Sequence, residues 1–446
     1  MSFASLPLEV SEQVIEFLVS ENSRDGVLFS AAHLKNLALT CRSILQVCRK
    51  YLFETIHMRF SYTFDSSCAN NFPSLLRSSP EIAGFTRHLY LRVEKNRESQ
   101  ILLLPELTKF SRLRSYSLSF MSNNYHRHRI HSILQSSISP WYHPLDFEKM
   151  SRQTREVLLH PIPTLTTLKL EHIANFPFDE LLFNFPNIRD LEISDLKVDD
   201  DSTECTISKQ TFPPLKLERL CSRGPSRNHA SAILKLMEMQ QSNGEPVVDF
   251  SRLKHLELSC GEESEWNTIR TTLLQTDQLE TLTLMPDDTT LDLTGIGRLL
   301  LASRMTLKEI HIFNQATIFI DENPFHGLCE ELELLGRYPN VLETLSYSLA
   351  TTPHFACSTG VTWSALDRVI NDFPWPKLKR LSIDIYTDIY GDIDDGDCAN
   401  EEEYEINLSI NDFKSRLQNL PQKWLPILLE GSGKDFEFKF AVHPTT

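Results

Sequence analysis

The sequence predicts an α/β chain in which a short helical hairpin leads into a long, repeating strand-and-helix body built on a parallel sheet. Three observations predict it. Apolar stripes at helical spacing open the chain, a phrase of the form L-x-x-L-x-L recurs from Leu165 onward, and amphipathic stretches separate its copies. Alternating strands and helices at this spacing imply crossovers within a parallel sheet. One such unit cannot bury its own apolar face, so neighbours must stack into a curved solenoid.

The hairpin begins at Leu6-Pro7-Leu8-Glu9-Val10. Pro7 suits a first helical turn, where its missing N–H costs nothing. Val10, Val14, Phe17 and Leu18 then fall on one helix face. Leu34, Leu37, Ala38, Cys41 and Leu45 repeat the stripe in what reads as a second helix. Two faces this short cannot bury each other completely, so part of the surface must meet the rest of the chain or another protein.

These residues, with Cys41-Arg42 and Tyr51-Leu52-Phe53-Glu54-Thr55-Ile56, resemble the F-box, from about Leu6 to Ile56, in its fungal form. The resemblance implies that Leu6, Pro7, Glu9, Val10, Val14 and Ile15 meet a Skp-type adaptor and, through it, a cullin. The segment Ser20 to Ala32 is longer than the compact family pattern allows, which leaves the position of the second helix open. An ordinary amphipathic hairpin capping a larger body is the competing reading of the same stripe.

After Ile56 the strand phrase takes over. Ile56, Met58 and Phe60 alternate as a strand, Ser74 to Arg77 continues as helix toward Pro80, and Thr86 to Val93 supplies the next strand. Weaker copies lie at Leu89-x-Leu91-x-Val93, Leu113-x-x-Tyr116-x-Leu118 and Leu217-x-x-Leu220. Full copies begin at Leu165, Ile188, Leu253, Leu279, Leu307, Leu342 and Leu378, and with the weaker copy at Leu217 the copies from Leu165 onward fall about 23 to 36 residues apart. Helical patterns intervene at Ala230–Met239, Trp266–Leu274, Ile296–Ala302, Leu328–Leu335 and Trp363–Ile370. This body resembles the leucine-rich repeats of F-box proteins, with one departure. Where the regular repeat carries the Asn or Cys of its ladder, this chain has Leu196, Gly261, Asp287 and Gln315. The implied organisation is an F-box-like module over residues 1–57, an irregular leucine-rich-repeat solenoid over 58–446, and an acidic insertion at about 388–405.

In the solenoid reading Leu168, Leu170, Leu191, Ile193, Leu256, Leu258, Leu282, Leu284, Leu381 and Ile383 point inward. Lys169, Glu192, Glu257, Thr283 and Ser382 point outward. Thr167, Lys169, Glu171, Asp190, Glu192, Ser194, His255, Glu257, Ser259, Glu309, His311 and Phe313 then line a chemically mixed outer row that spells no substrate code, so substrate-binding residues stay unassigned.

Composition narrows the function. A formal net charge of -16 argues against a nucleic-acid-binding body. The nine cysteines contain no C-x-x-C pair, which predicts reduced, mostly buried thiols and neither a zinc knuckle nor a redox pair. No apolar run approaches the roughly 18 residues of a membrane span, and the reading is a soluble protein of the cytoplasm, the nucleus or both. Tyr125-His126-Arg127-His128-Arg129-Ile130-His131 lacks the carboxylate or thiolate that would complete a metal set. An EF-hand register with Gly396 at its sixth position puts Gly391 and Ile393 where carboxylates belong, so the calcium reading fails and a solvated acidic loop remains. Gly295-Ile296-Gly297 lacks the third glycine of a dinucleotide fingerprint, and no catalytic motif appears. The resemblance implies a non-catalytic substrate-recognition subunit of an SCF-type ubiquitin ligase, with no cofactor and no metal. A repeat scaffold without ligase role and an unrecognised enzyme are the alternatives.

Overall fold

The computed structural model describes residues 7–21, 31–40, 42–60, 67–94, 105–121, 145–178, 184–196, 212–223, 229–241, 243–260, 263–286, 293–314, 327–351, 360–388, 415, 417–430 and 436–445. The chain is mixed α/β, with twelve strands in one large parallel sheet. Contacts group it into two compact units, the first taking Met1–Tyr125 with His143–Asp190 and the second the remainder. The boundary read at residue 57 falls inside the first unit, which holds the N-terminal helices together with the first strands.

The first unit opens with three helices, α1 (Leu8–Glu21), α2 (Ala31–Ala38) and α3 (Arg42–Leu52). The second helix of the expected hairpin is therefore two. The chain turns at Leu39-Thr40, where the Thr40 hydroxyl and main-chain N–H both donate to the Leu37 carbonyl, at 2.7 and 3.0 Å. That local bond ends α2 without help from Gly or Pro. Ile15, Leu34, Ile44, Val47 and Cys48 form the buried centre, flanked by Leu37, Ala38, Tyr51 and Leu52.

Strand β1 (Thr55–Phe60) follows α3 after only Phe53 and Glu54, and buries Ile56, Met58 and Phe60 as alternation requires. Next come α4 (Ser67–Ser78), α5 (Glu81–Phe85), β2 (His88–Glu94), a 3-10 turn (Pro105–Lys109) and β3 (Ser115–Met121). A short strand β4 (Leu145–Asp146), helix α6 (Arg152–Leu158), β5 (Thr167–Glu171) and β6 (Ile173–Ala174) complete the unit. The sheet order here is β1-β2-β3-β5, every pair parallel and in register. Strands β4 and β6 pair separately over an edge-packed cluster of Phe147, Phe176 and Phe178, with ring centroids 5.2 and 5.7 Å apart.

The second unit runs through β7 (Asp190–Ser194), β8 (Leu215–Lys216), β9 (Arg219–Arg223), α7 (His229–Glu238), β10 (Val248–Asp249) and β11 (His255–Cys260). It continues with α8 (Glu263–Leu274), β12 (Thr281–Pro286), α9 (Ile296–Leu300), β13 (Glu309–Asn314), α10 (Leu328–Gly336) and β14 (Thr344–Thr351). Last are α11 (Gly360–Asp372), β15 (Arg380–Asp388), α12 (Leu420–Trp424), α13 (Pro426–Leu429) and β16 (Glu437–Thr445). From β11 to β16 each strand pairs parallel with the next in sequence, and successive helices from α7 to α11 contact one another. Each expected inward leucine and isoleucine is at most 1% exposed. Such burial contributes about 2 kcal/mol per side chain. Lys169, Glu192, Glu257 and Thr283 are half-buried on the other face. Ser382 departs from expectation: it is buried, because its short hydroxyl side chain meets the Ser346 hydroxyl at 2.6 Å in the adjacent strand.

Two devices tie the strands together where they begin. Immediately before most of the large sheet's strands one carbonyl accepts two successive N–H groups of the next copy, as Lys254 accepts Glu280 and Thr281 at 2.7 and 2.9 Å, and Glu280 accepts Lys308 and Glu309 at 2.8 and 3.1 Å. Hydroxyls add to this: Thr164 donates to the Leu113 carbonyl at 2.8 Å and Thr306 to the Leu279 carbonyl at 2.9 Å. The same positions in the second unit carry charges of alternating sign, Glu218, Lys254, Glu280, Lys308, Glu343 and Lys379. Consecutive members pair at 3.6 Å (Lys254 to Glu218), 2.6 Å (Lys308 to Glu280) and 2.5 Å (Lys379 to Glu343). Exposed pairs of this kind add little stability, and their use is to penalise wrong registers.

Candidate functional site

The first candidate surface lies on α1. Pro7, Glu9 and Val10 are exposed, Val10 to 39%, and Val14 is half-buried. Leu6 lies outside the described residues. Ile15 corrects the expectation that it meets a partner: it is 0% exposed, spent on packing against α3 at the centre of the three-helix cluster. Glu12 and Lys50 join α1 to α3 by a salt bridge, which raises the Lys50 ammonium above its ordinary pKa through that hydrogen bond. Arg49 of α3 reaches Glu81 of α5 at 3.3 Å, and Arg87, just before β2, reaches Glu54 at 3.7 Å. These contacts and the two-residue passage from α3 to β1 fix the α3 end of the cluster to the strands beside it.

The second candidate surface is the outer row of each unit's strands. In the first unit His57 stacks on Tyr90 with centroids 4.5 Å apart, Arg59 pairs with buried Glu94 at 3.5 Å, and Lys169 pairs with Glu171 at 2.8 Å. Register alone points to His57, Tyr90 and Glu94, since they alternate with the buried Ile56, Met58, Leu89 and Leu91. In the second unit Arg223 bridges Glu257 and Glu192, the latter at 3.9 Å, above the buried thiol of Cys221. Burial pushes Glu257 upward, but the hydrogen bond and charge of Arg223 outweigh it and hold the carboxyl below its usual range. Burial first, then the Glu257 charge, pushes Cys221 up to about 12, so it is a poor nucleophile at neutral pH. Further along, His311 lies 3.4 Å from Glu309 and stacks on Phe313, and His443 donates from Nε2 to the Asp384 carboxylate at 2.8 Å while stacking on Tyr386. The chemistry is that of a mixed, polar surface.

The Gly295-Ile296-Gly297 turn cannot cradle a phosphate, because a carboxylate already occupies it. Glu331 accepts the N–H of Gly295 at 2.6 Å and of Gly297 at 2.7 Å. Gly295 needs its hydrogen side chain for a φ of 93°, and a Cβ on Gly297 would lie 2.5 Å from the Glu331 main-chain oxygen. A similar contact closes the other end of the second unit, where buried Asp367 of α11 accepts the N–H groups of Ile427 and Leu428 at 3.2 and 3.0 Å. Sequence reasoning missed both acids, since a Glu or Asp inside an amphipathic helix reads as a solvated position.

Among the described residues no group of three or more His, Cys, Asp or Glu side chains is placed to hold a metal ion, and no helix is long and apolar enough to cross a membrane. The segments Tyr125–His131 and 389–405 lie outside the described residues. No protein-family model matches this chain, and no curated protein matches it.

Proposed function

We propose that this chain is the substrate-recognition subunit of an SCF-type cullin-RING ubiquitin ligase. In this reading residues 1–57 are an F-box-like module that docks a Skp adaptor, and residues 58–446 are an irregular leucine-rich-repeat solenoid whose outer strand row captures a target protein. The chain acts in the cytoplasm, the nucleus or both, and performs no covalent chemistry. Its contribution is proximity, which raises the effective concentration of acceptor lysines near the ligase.

The observation that carries the reading is the division of labour on α1. Ile15 is spent on the helical core while Pro7, Glu9 and Val10 remain exposed and Val14 is half-buried. An apolar patch of this kind, backed by a packed core, is what a desolvated hot spot needs. The test is the double substitution Leu6→Ala and Pro7→Ala, measured by adaptor affinity and a thermal melt. Adaptor capture weakens by at least about tenfold, equivalent to about 1.4 kcal/mol, and the melt stays unchanged. Unchanged affinity with a lowered melt would make these helices an internal cap of the first unit. Their membership of that unit favours the same alternative, a scaffold without a ligase role.

A further inference from the structure

We propose that the edge of β16 opposite β15, unpaired among the described residues, is a self-association surface, on which a second copy of this chain lays its own β16 antiparallel about a two-fold axis at Phe440. The idea stands apart from the adaptor docking proposed for α1 and uses none of the α1 residues.

Strand β16 is the last in the sheet order, and among the described residues it pairs only with β15. It is long and firmly seated, with His443 bonded to Asp384 and stacked on Tyr386 at 4.8 Å. The Glu437 N–H donates to the Lys379 carbonyl at 2.8 Å. Main-chain groups alternate sides along a strand, so Glu437, Lys439, Ala441 and His443 turn theirs toward β15. Phe438, Phe440 and Val442 turn theirs outward. The row of outward donors and acceptors from Phe438 to Val442 is a template for another strand.

The side chains add a second observation. Phe438, Phe440 and Val442 continue the row of Leu381, Ile383 and Ile385. Those three are at most 1% exposed, whereas the β16 residues are only half-buried, and among the described residues no strand lies on their other side.

The occupant is identified by what complements this strand. Antiparallel pairing centred on Phe440 places Phe440 opposite its copy, Phe438 opposite Val442, and Glu437 opposite His443. Apolar meets apolar and a carboxylate meets an imidazole, so the strand is its own complement. The register keeps 437–443 in the pairing and leaves Pro444, which has no N–H to give, outside it. Isologous pairing consumes both free edges and stops at two copies.

The test uses the full chain. Sedimentation velocity up to about 100 μM shows a concentration-dependent dimer in the affinity range of small interfaces. Val442→Pro removes one outward N–H without touching the β15 ladder, and weakens association by about tenfold or more while the thermal melt is kept. Phe440→Cys gives an oxidised cross-link between the two introduced thiols, identified by peptide mapping, because residues paired across such a ladder sit about 5.5 Å apart at Cα. Phe438→Cys gives no such homodimeric link. A chain that stays monomeric throughout, or a dimer indifferent to Val442→Pro, or a cross-link at 438 in place of 440, overturns the proposal.

Discussion

Replacing Glu331 tests whether helix-to-helix carboxylates hold neighbouring copies together. The residue is 8% exposed, and its carboxylate accepts two main-chain N–H groups at the start of α9, at 2.6 and 2.7 Å. Hydrogen bonds to a charged acceptor contribute about 1.5–3 kcal/mol each, and the helix N-terminus adds to the attraction. Glu331→Ala orphans both donors but releases a buried charge, which offsets part of the loss. The expected net cost is about 3 kcal/mol, read as a lowered urea midpoint with an unchanged slope. In a unit of this size the melting temperature falls by about 5 °C. Glu331→Gln keeps the shape but turns an NH2 toward one of the N–H groups, so it costs nearly as much. Gly297→Ala costs about 2 kcal/mol through overpacking. Glu331→Ala does not rescue it, because the nearest atom to the new Cβ is the Glu331 main-chain oxygen. A Glu331→Gln protein within about 0.5 kcal/mol of the parent would refute the argument.

Three other outcomes follow from the ionisable groups. Glu257 is held below its ordinary pKa in the fold, so its contribution to stability is present above the ordinary carboxylate range and is lost as pH falls through the depressed value; Glu257→Gln flattens that acid limb in pH-dependent denaturation. Asp367 has the opposite sign: burial raises it despite the N–H groups of Leu428 and Ile427, so its contribution is full below the ordinary Asp pKa and declines as pH rises through the raised value. Asp367→Asn removes that slope, and an unchanged slope would locate it elsewhere. Cys221 and Cys329, both pushed up to about 12 chiefly by burial, resist alkylation at pH 8 in the native protein and react after unfolding, as peptide mapping after iodoacetamide shows.

Much of the strand architecture was legible because a period of two is hard to mimic. Leu256, Leu258, Leu282 and Leu284 alternate with polar residues, and only a strand with one buried face explains that. The helices between Ala230 and Ile370 were legible for the matching reason at a period of 3.6. The break between α2 and α3 was not, because it rests on a Thr40 side-chain bond inside an unbroken apolar stripe. Burial of Ser382 depends on a hydroxyl 36 residues away in sequence, and the acids Glu331 and Asp367 acquire meaning only when another helix end arrives beside them. The two-residue strands β8 and β10 leave too short a pattern to read. Of the residues that the F-box resemblance names, Pro7, Glu9 and Val10 are exposed, whereas Ile15 shows that about one helix turn separates an exposed residue from a core residue.

The alternation of Glu218, Lys254, Glu280, Lys308, Glu343 and Lys379 bears on how such an array can change length. Copying or deleting a single strand-and-helix unit in this stretch would bring two ammonium groups, or two carboxylates, into the places where opposite charges now pair. Copying or deleting two leaves the order of signs intact. Each junction contributes little, but a like-charged junction is unfavourable at the point where register is set. The array therefore has a parity, and tandem gain or loss within it is tolerated most readily in pairs.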